Sequence, residues 1–210
     1  MNQVAAIFDV DQTLVQGYTE RLFFRYLLRQ GCLSVPQALT YLSSLAINPL
    51  VRFEDKSYLA GLTVAEVKRL ARQCYQEEIA PRVSRPGLDC VLEHQDRGHI
   101  VVLLTGSLSF LLLPLKEELG ADWLIATEVD RDNGRFTGKI QGLHPRGINK
   151  LRLLLNLALA QRLDLSQSYA YGDHIQDLYL FRNIGHPVAV NPSWRLRRQA
   201  RRHQWPIRSF

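Results

Sequence analysis

The spacing of apolar positions changes character along the chain. Residues 4–8 are a continuous apolar run closed by a polar cluster, the pattern of a short strand buried on both faces. From residue 19 the spacing turns helical. Leu22, Phe23, Tyr26 and Leu27 share one face of a helix predicted over 19–30, which Gly31 stops. A second helix is expected over 36–47, bounded by Asn48-Pro49, and a third over 51–60, ending before Gly61. Thr63 and Glu66 form a capping box that opens a fourth, striped by Val64, Val67, Leu70, Ala71, Cys74 and Tyr75. Ser84-Arg85-Pro86-Gly87 then breaks this helical stretch.

After the break, strands and helices alternate. A helix over 87–97 leads to a strand over 100–104, a helix near 108–119 and a strand over 123–127. Asp132-Asn133-Gly134 reads as the turn of a hairpin between 127–130 and 136–140. A helix over 149–162, a strand over 168–171, a short helix over 176–183 and a buried strand over 188–190 follow. Such alternation predicts an α/β fold, a Rossmann-like parallel sheet covered by helices on both faces. The simplest organisation is a core of residues 1–14 plus 86–210, with residues 15–85 inserted as a helical cap.

Charge changes this picture less than its total suggests. The 210 residues carry a formal charge of +6, but six of the 26 basic residues lie beyond position 192. No acidic residue lies beyond Asp177, so the first 192 residues are formally neutral. The tail reads as a packed helix through about His203, with Asn191 as N-cap and Pro192 at its first position. Leu196, Ala200 and Trp194 form its expected apolar stripe, and the arginines its wet face. Trp194 and Trp205 bracket the arginines without alternating with them, so this packed helix is favoured over a nucleic-acid or anionic-lipid contact. Cys32, Cys74 and Cys90 show no Cys-x-x-Cys spacing, which argues against a disulfide framework or zinc site and fits a reducing, cytoplasmic setting. The N-terminus lacks a basic region and does not read as a signal peptide. The longest uncharged run, 100–115, is shorter than the roughly 20 residues that span a bilayer, so no membrane span is expected.

Open α/β sheets bind ligands at the carboxyl ends of their strands. Those ends carry Asp9-Val10-Asp11-Gln12-Thr13, then Thr105-Gly106-Ser107, then Gly172-Asp173-His174 with Asp177 one turn later; Lys150 opens a helix between the last two. Asp9 and Asp11 would face opposite ways in an extended segment, so a turn must begin here if both serve one substrate. Gathered carboxylates without His or Cys favour Mg²⁺. A cation held by Asp9 and Asp173 would neutralise phosphate oxygens, with Lys150 and the Thr105 hydroxyl taking the remainder and N–H groups after Gly106 helping to cradle it. A carboxylate nucleophile would then split phosphate-ester hydrolysis into two displacements, with a second carboxylic acid moving the protons.

Phe8-Asp9-Val10-Asp11-Gln12-Thr13-Leu14-Val15 resembles the first motif, DxDx[TV], of the haloacid dehalogenase superfamily. Leu103-Leu104-Thr105-Gly106-Ser107 resembles its second motif, Lys150 its third, and Gly172-Asp173-His174-Ile175-Gln176-Asp177 its fourth. The insertion between the first two resembles the C1 cap of subfamily IB, which includes phosphoserine phosphatases. This resemblance implies Asp9 as nucleophile, Asp11 as general acid/base, and Thr105, Gly106 and Lys150 as phosphate ligands. It implies Mg²⁺ on the Asp9 carboxylate, the Asp11 main-chain carbonyl and Asp173, supported by Asp177. Three departures stand out. Gln12 and Gln176 replace the usual Gly or Ser and the frequent Asn, and Tyr18 occupies the place of a substrate-binding Glu, with Glu20 two residues on.

The expectation is therefore a Mg²⁺-dependent phosphatase of a small phosphorylated metabolite, with no nucleic-acid partner and an open oligomeric state. Phosphotransfer by the same fold is the alternative. A receiver-like signalling domain would not explain Asp11 or the helical insertion, and a basic anion-binding module would owe its binding to the tail.

Overall fold

The computed structural model of the chain describes residues 3–33, 36, 39, 41, 43 and 55–210. Its centre is a seven-stranded sheet in the order β4-β3-β2-β1-β5-β6-β7, made of β1 (Ala5–Phe8), β2 (Ile100–Leu108), β3 (Trp123–Asp132), β4 (Arg135–Gln141), β5 (Tyr169–Gly172), β6 (His186–Val190) and β7 (Ile207–Arg208). All neighbours are parallel except the β3–β4 hairpin. The α-helices with described bounds are α1 (Thr19–Arg29), α2 (Val64–Cys74), α3 (Arg85–Asp96), α4 (Ser109–Leu119), α5 (Ile148–Gln161), α6 (Leu178–Phe181) and α7 (Trp194–His203).

Strand periodicity divides the core in two. Ala6, Phe8, Val101 and Leu103 project into one cluster with α3, α4 and the inserted helices. Ala5, Ile7, Val102 and Leu104 project into the other, beneath α5, α6 and α7. An apolar run in a central strand thus supplies both faces, because successive side chains point to opposite sides. Helices on both faces of a mostly parallel sheet, with a helical cap inserted after the first strand, match the predicted fold class.

The hairpin turn falls where the Asn-Gly dipeptide predicts. Asp132 pairs with Arg135, and both intervening residues have positive φ, 47° at Asn133 and 76° at Gly134. The outer edge of β4 is covered by the inserted segment rather than left open. Lys56 N–H donates to the Gly138 carbonyl at 2.7 Å, Gly61 N–H to Phe136 at 2.9 Å, and Phe136 N–H to Leu62 at 3.0 Å. These bonds fasten the cap to the core and satisfy an edge that would otherwise template aggregation.

They also correct one expectation. Instead of an α-helix running to residue 60, the described part shows a single 3₁₀ turn at Ser57–Leu59, because the backbone around it pairs with β4. Residues 51–54 of that expected helix lie outside the described residues. So does much of the expected 36–47 helix, although Pro36, Leu39, Tyr41 and Ser43 are helical.

The tail needs two further corrections. Ser193, not Asn191, precedes α7, and Asn191 has φ 42°. The Asn191 side chain instead ties down the chain end: its Oδ1 accepts from Phe210 N–H at 3.2 Å and its Nδ2 donates to the Phe210 carbonyl at 3.3 Å. Leu196 and Ala200 are buried as expected, but Trp194 is 69% exposed. The strand β7 beyond the helix, only two residues long, has no readable period in the sequence.

Candidate active site

Three strand ends bring the predicted residues to one edge. Phe8 is in register with Leu103 on one side and Tyr171 on the other, so the segments after them emerge side by side. The chain turns immediately after β1: the Val10 carbonyl accepts from the N–H groups of Thr13, Leu14 and Val15 at 3.2, 2.9 and 2.9 Å. This is the turn that two alternating carboxylates require. Gln12 completes it at φ 62°, in the left-handed region. The departure from glycine therefore falls where a side chain is disfavoured by about 1–2 kcal/mol. Gln12→Gly is expected to raise stability by up to about 1 kcal/mol, read as a higher midpoint in urea; a lower midpoint would contradict the strain.

Asp9, Lys150 and Asp177 form a chain of charge. Asp9 Oδ1 accepts from Val10 N–H at 2.9 Å and lies 3.0 Å from Lys150 Nζ. Lys150 Nζ also donates to Asp177 Oδ1 at 2.7 Å. The other Asp177 oxygen accepts from His174 N–H at 3.2 Å, capping the 3₁₀ turn Ile175–Asp177. Asp177 presses against β5 so closely that a Cβ on Gly172 would stand 2.6 Å from its Oδ2. Gly172→Ala is expected to cost about 1–3 kcal/mol by overpacking, measured by thermal melting; an unchanged melting temperature would show that Asp177 yields freely.

Carboxylate oxygens of Asp9, Asp173 and Asp177 all lie within 4.8 Å of one another. Lys150 is the one cation paired with this group among the described residues. Three carboxylates facing one ammonium leave a local negative excess in a dry place. Burial, reinforced by the neighbouring acids, pushes Asp9 up to about 7 despite its lysine partner, and Asp173 to about 8. Asp177 and Asp9 hold Lys150 protonated well above its ordinary range, their attraction outweighing the desolvation that opposes it. An all-oxygen donor set with uncompensated negative charge fits a hard divalent cation.

The titration has a sign that can be measured. In the folded, metal-free chain both carboxyls keep protons above the 3.8 of an ordinary Asp. Folding is therefore favoured by them at low pH, and that contribution is lost as pH climbs from about 4 towards 8. Asp173→Asn should flatten this fall in melting temperature in metal-free buffer; an identical slope in the variant would contradict it.

Asp11 turns away from that cluster. Its Oδ1 accepts from Thr19 N–H at 2.9 Å and Thr19 Oγ1 at 2.8 Å, and its Oδ2 is 2.7 Å from Ser107 Oγ. The two hydroxyl oxygens are themselves 2.7 Å apart. Burial pushes Asp11 upward against these hydrogen bonds. Thr105 is buried and accepts from Ser107 N–H at 3.1 Å. The first N–H after Gly106 is thus already engaged, and α4 begins only at Ser109, two residues later than a phosphate cradle there would need. Gly106 is anchored from the far side: its carbonyl accepts from Thr127 Oγ1 at 2.6 Å, and His144 Nδ1 lies 2.7 Å from that hydroxyl. With the Thr127 proton committed, His144 Nδ1 must donate, consistent with burial lowering this histidine to about 4 and keeping it neutral.

Sequence reasoning missed Thr19, Ser107 and the pairing of Asp177 with Lys150. Only Ser107 carried a signal, its place in the quoted second motif. Of the charged cap residues, Glu20 and Lys56 pair with each other, Lys56 Nζ standing 2.7 Å from both Glu20 oxygens, with Tyr58 Oη donating to Glu20 Oε1 at 3.0 Å. Tyr18, where a substrate-binding Glu would stand, is exposed beneath Arg21, whose guanidinium carbon is 4.7 Å from its ring centroid.

The sequence matches the haloacid dehalogenase-like hydrolase family over residues 6–182. A phosphoserine phosphatase of Mycobacterium tuberculosis is 31% identical over 98% of this chain and 70% of its own length. A histidinol-phosphatase of Neisseria meningitidis is 28% identical, with 98% of each chain aligned. A crystal structure of a Bordetella pertussis protein of unknown function superimposes with a TM-score of 0.88 at 25% identity, covering 99% of this chain and 98% of that one. With the family matched across most of its length and the carboxylate–lysine edge in place, the chain belongs to the haloacid dehalogenase-like hydrolases.

Proposed function

We propose that the protein is a Mg²⁺-dependent phosphatase that hydrolyses a small phosphomonoester through an aspartyl-phosphate at Asp9. The observation that carries this reading is the gathering of Asp9, Asp173 and Asp177, with Lys150 paired to Asp9 and Asp177 and Asp11 held apart on its own hydroxyl partners. The likeness to phosphatases over nearly the whole chain supports it. Residues 15–85 serve as the cap over this edge.

Asp9 and Asp173, with the Asp11 main-chain carbonyl, are the residues that would hold Mg²⁺, and Asp177 supports them. The cation supplies charge neutralisation for the phosphoryl oxygens. Lys150, Thr105 and Gly106 bind the transferring group. Both donors to Asp9 reach Oδ1, so attack on phosphorus is assigned to Oδ2. The P–O bond to the leaving group breaks as the Asp9–phosphorus bond forms, and the departing oxygen takes a proton from Asp11. Asp11 then removes a proton from water as that water attacks phosphorus and releases Asp9.

The hydroxyl pair explains how Asp11 begins as an acid. Three short contacts link Asp11, Thr19 and Ser107, and two hydroxyls supply only two protons. A protonated Asp11 supplies the third and closes the ring. Thr19→Val should lower kcat about tenfold or more, the worth of one hydrogen bond to an ionisable group, while leaving KM within about twofold. An equal loss in KM with kcat unchanged would assign Thr19 to substrate binding instead.

Glu20 is engaged by Lys56 and Tyr58, and no carboxylate stands at Tyr18, so a phosphoserine-specific site has no support here. Steady-state turnover of a panel including phosphoserine, sugar phosphates, nucleotides and phospholipid head groups tests the proposal. Many equivalents of phosphate per protein with Mg²⁺, and none after chelation, are expected. Transfer to an acceptor without free phosphate would favour phosphotransferase chemistry, and no turnover would contradict the enzyme reading.

A further inference from the structure

The helical layer formed by α5, α6 and α7 has a solvent face unlike the rest of the molecule. From Arg146 to Phe210 the only acidic residues are Asp164, Asp173 and Asp177, and the last two belong to the carboxylate cluster. The three helices therefore carry no acidic group facing solvent. They and their C-terminal caps carry eight exposed arginines: Arg152, Arg162 and Arg182 on α5 and α6, and five on α7. None of the eight makes a salt bridge among the described residues.

Large apolar side chains stand out between these charges. Leu159 is 85% exposed, and Leu155 lies one turn before it. With Ile148, Arg152 and Arg162 they form the outer stripe of α5, at helical spacing opposite buried Leu151, Leu154 and Ala158. Tyr179 on α6 and Trp194 at the start of α7 are also exposed. All three helices lie on one sheet face, since their buried residues share one cluster.

We propose that this face docks the protein onto an anionic lipid bilayer as a peripheral contact, the arginines meeting head-group phosphates while Leu155, Leu159 and Trp194 enter the interface. Unpaired arginines without acids complement a negative surface, and protruding aliphatic side chains gain from an acyl boundary. A nucleic acid would engage the arginines but offers nothing to an exposed leucine stripe. A second copy of the chain would set eight unpaired arginines against eight more. The face also borders the catalytic edge: Ser193 N–H, one residue before Trp194, donates to the Asp173 carbonyl at 2.8 Å, and Lys150 lies in the first turn of α5. Docking would bring that edge alongside the membrane surface.

Co-sedimentation of the full chain with phosphatidylcholine vesicles, with and without phosphatidylglycerol, tests this, alongside a duplex DNA competitor. Binding should be at least about tenfold tighter with the anionic lipid and weaken with added salt. Arg198→Gln/Arg201→Gln should weaken it roughly thirtyfold, and Leu155→Ser/Leu159→Ser about tenfold or more, both with the parent's folded circular-dichroism spectrum. No preference for the anionic vesicles, tighter binding to the DNA, or vesicle binding unaffected by the leucine pair would overturn the proposal.

Discussion

Asp9→Asn should reduce phosphate release by about 10⁴-fold or more while leaving the fold intact or slightly more stable. A carboxamide has nearly the shape of a carboxylate but neither its charge nor its nucleophilicity, so the covalent step has no attacking oxygen. The substitution also removes one of three acids sharing a single lysine. Burial already pushes Asp9 up to about 7, a sign that its ionised form is costly in this place. Circular dichroism and melting of the variant should match the parent, with the introduced carboxamide oxygen still accepting from Val10 N–H. A correctly folded variant that releases phosphate at the parental rate would contradict Asp9 as the nucleophile.

Lys150→Met is expected to fail in two ways at once. Its ammonium stands 3.0 Å from Asp9 and 2.7 Å from Asp177, with only 7% of the side chain exposed. Removing one partner of a buried ion pair while leaving the other typically costs about 3–5 kcal/mol, and here two carboxylates are left facing each other. The variant should therefore melt well below the parent at neutral pH. Its deficit should shrink as pH falls, because protonating Asp9 removes one of the uncompensated charges. Activity should be lost as well, since the phosphoryl group loses its protein cation. Lys150→Met/Asp177→Asn separates the two effects: stability should recover substantially while turnover does not. A single variant as stable as the parent at neutral pH would contradict the stabilising role of this buried ion pair.

How much of this was legible from the residues depends on the range of the interaction concerned. Strand β1, the hairpin turn at Asn133-Gly134 and the helices flanking β2 follow from local pattern, because burial on both faces and turn stereochemistry leave strong local marks. The carboxylates and Lys150 were legible because the sheet delivers strand ends to one edge whatever the loops do. Three things were not. The segment around Ser57–Leu59 has helical spacing but pairs its backbone with β4, a contact some 80 residues distant in the chain. Thr19 has the sequence context of an ordinary first helical residue, and only the folded chain brings its hydroxyl to Asp11 and Ser107. The charge total suggested a basic tail alone, whereas folding places Arg152, Arg162 and Arg182 on the same layer as that tail and leaves Leu159 standing free between them.

The central claim is the covalent one, and a rapid-quench experiment tests it most directly. The protein is mixed with Mg²⁺ and a ³²P-labelled phosphomonoester that it turns over, quenched in acid within the first turnover, digested, and the label mapped. The account predicts an acid-stable, alkali-labile acyl-phosphate on the peptide containing Asp9, absent from Asp9→Asn and longer-lived in Asp11→Asn. Full turnover with no protein-bound phosphate in that window, or label carried by any other residue, would contradict it.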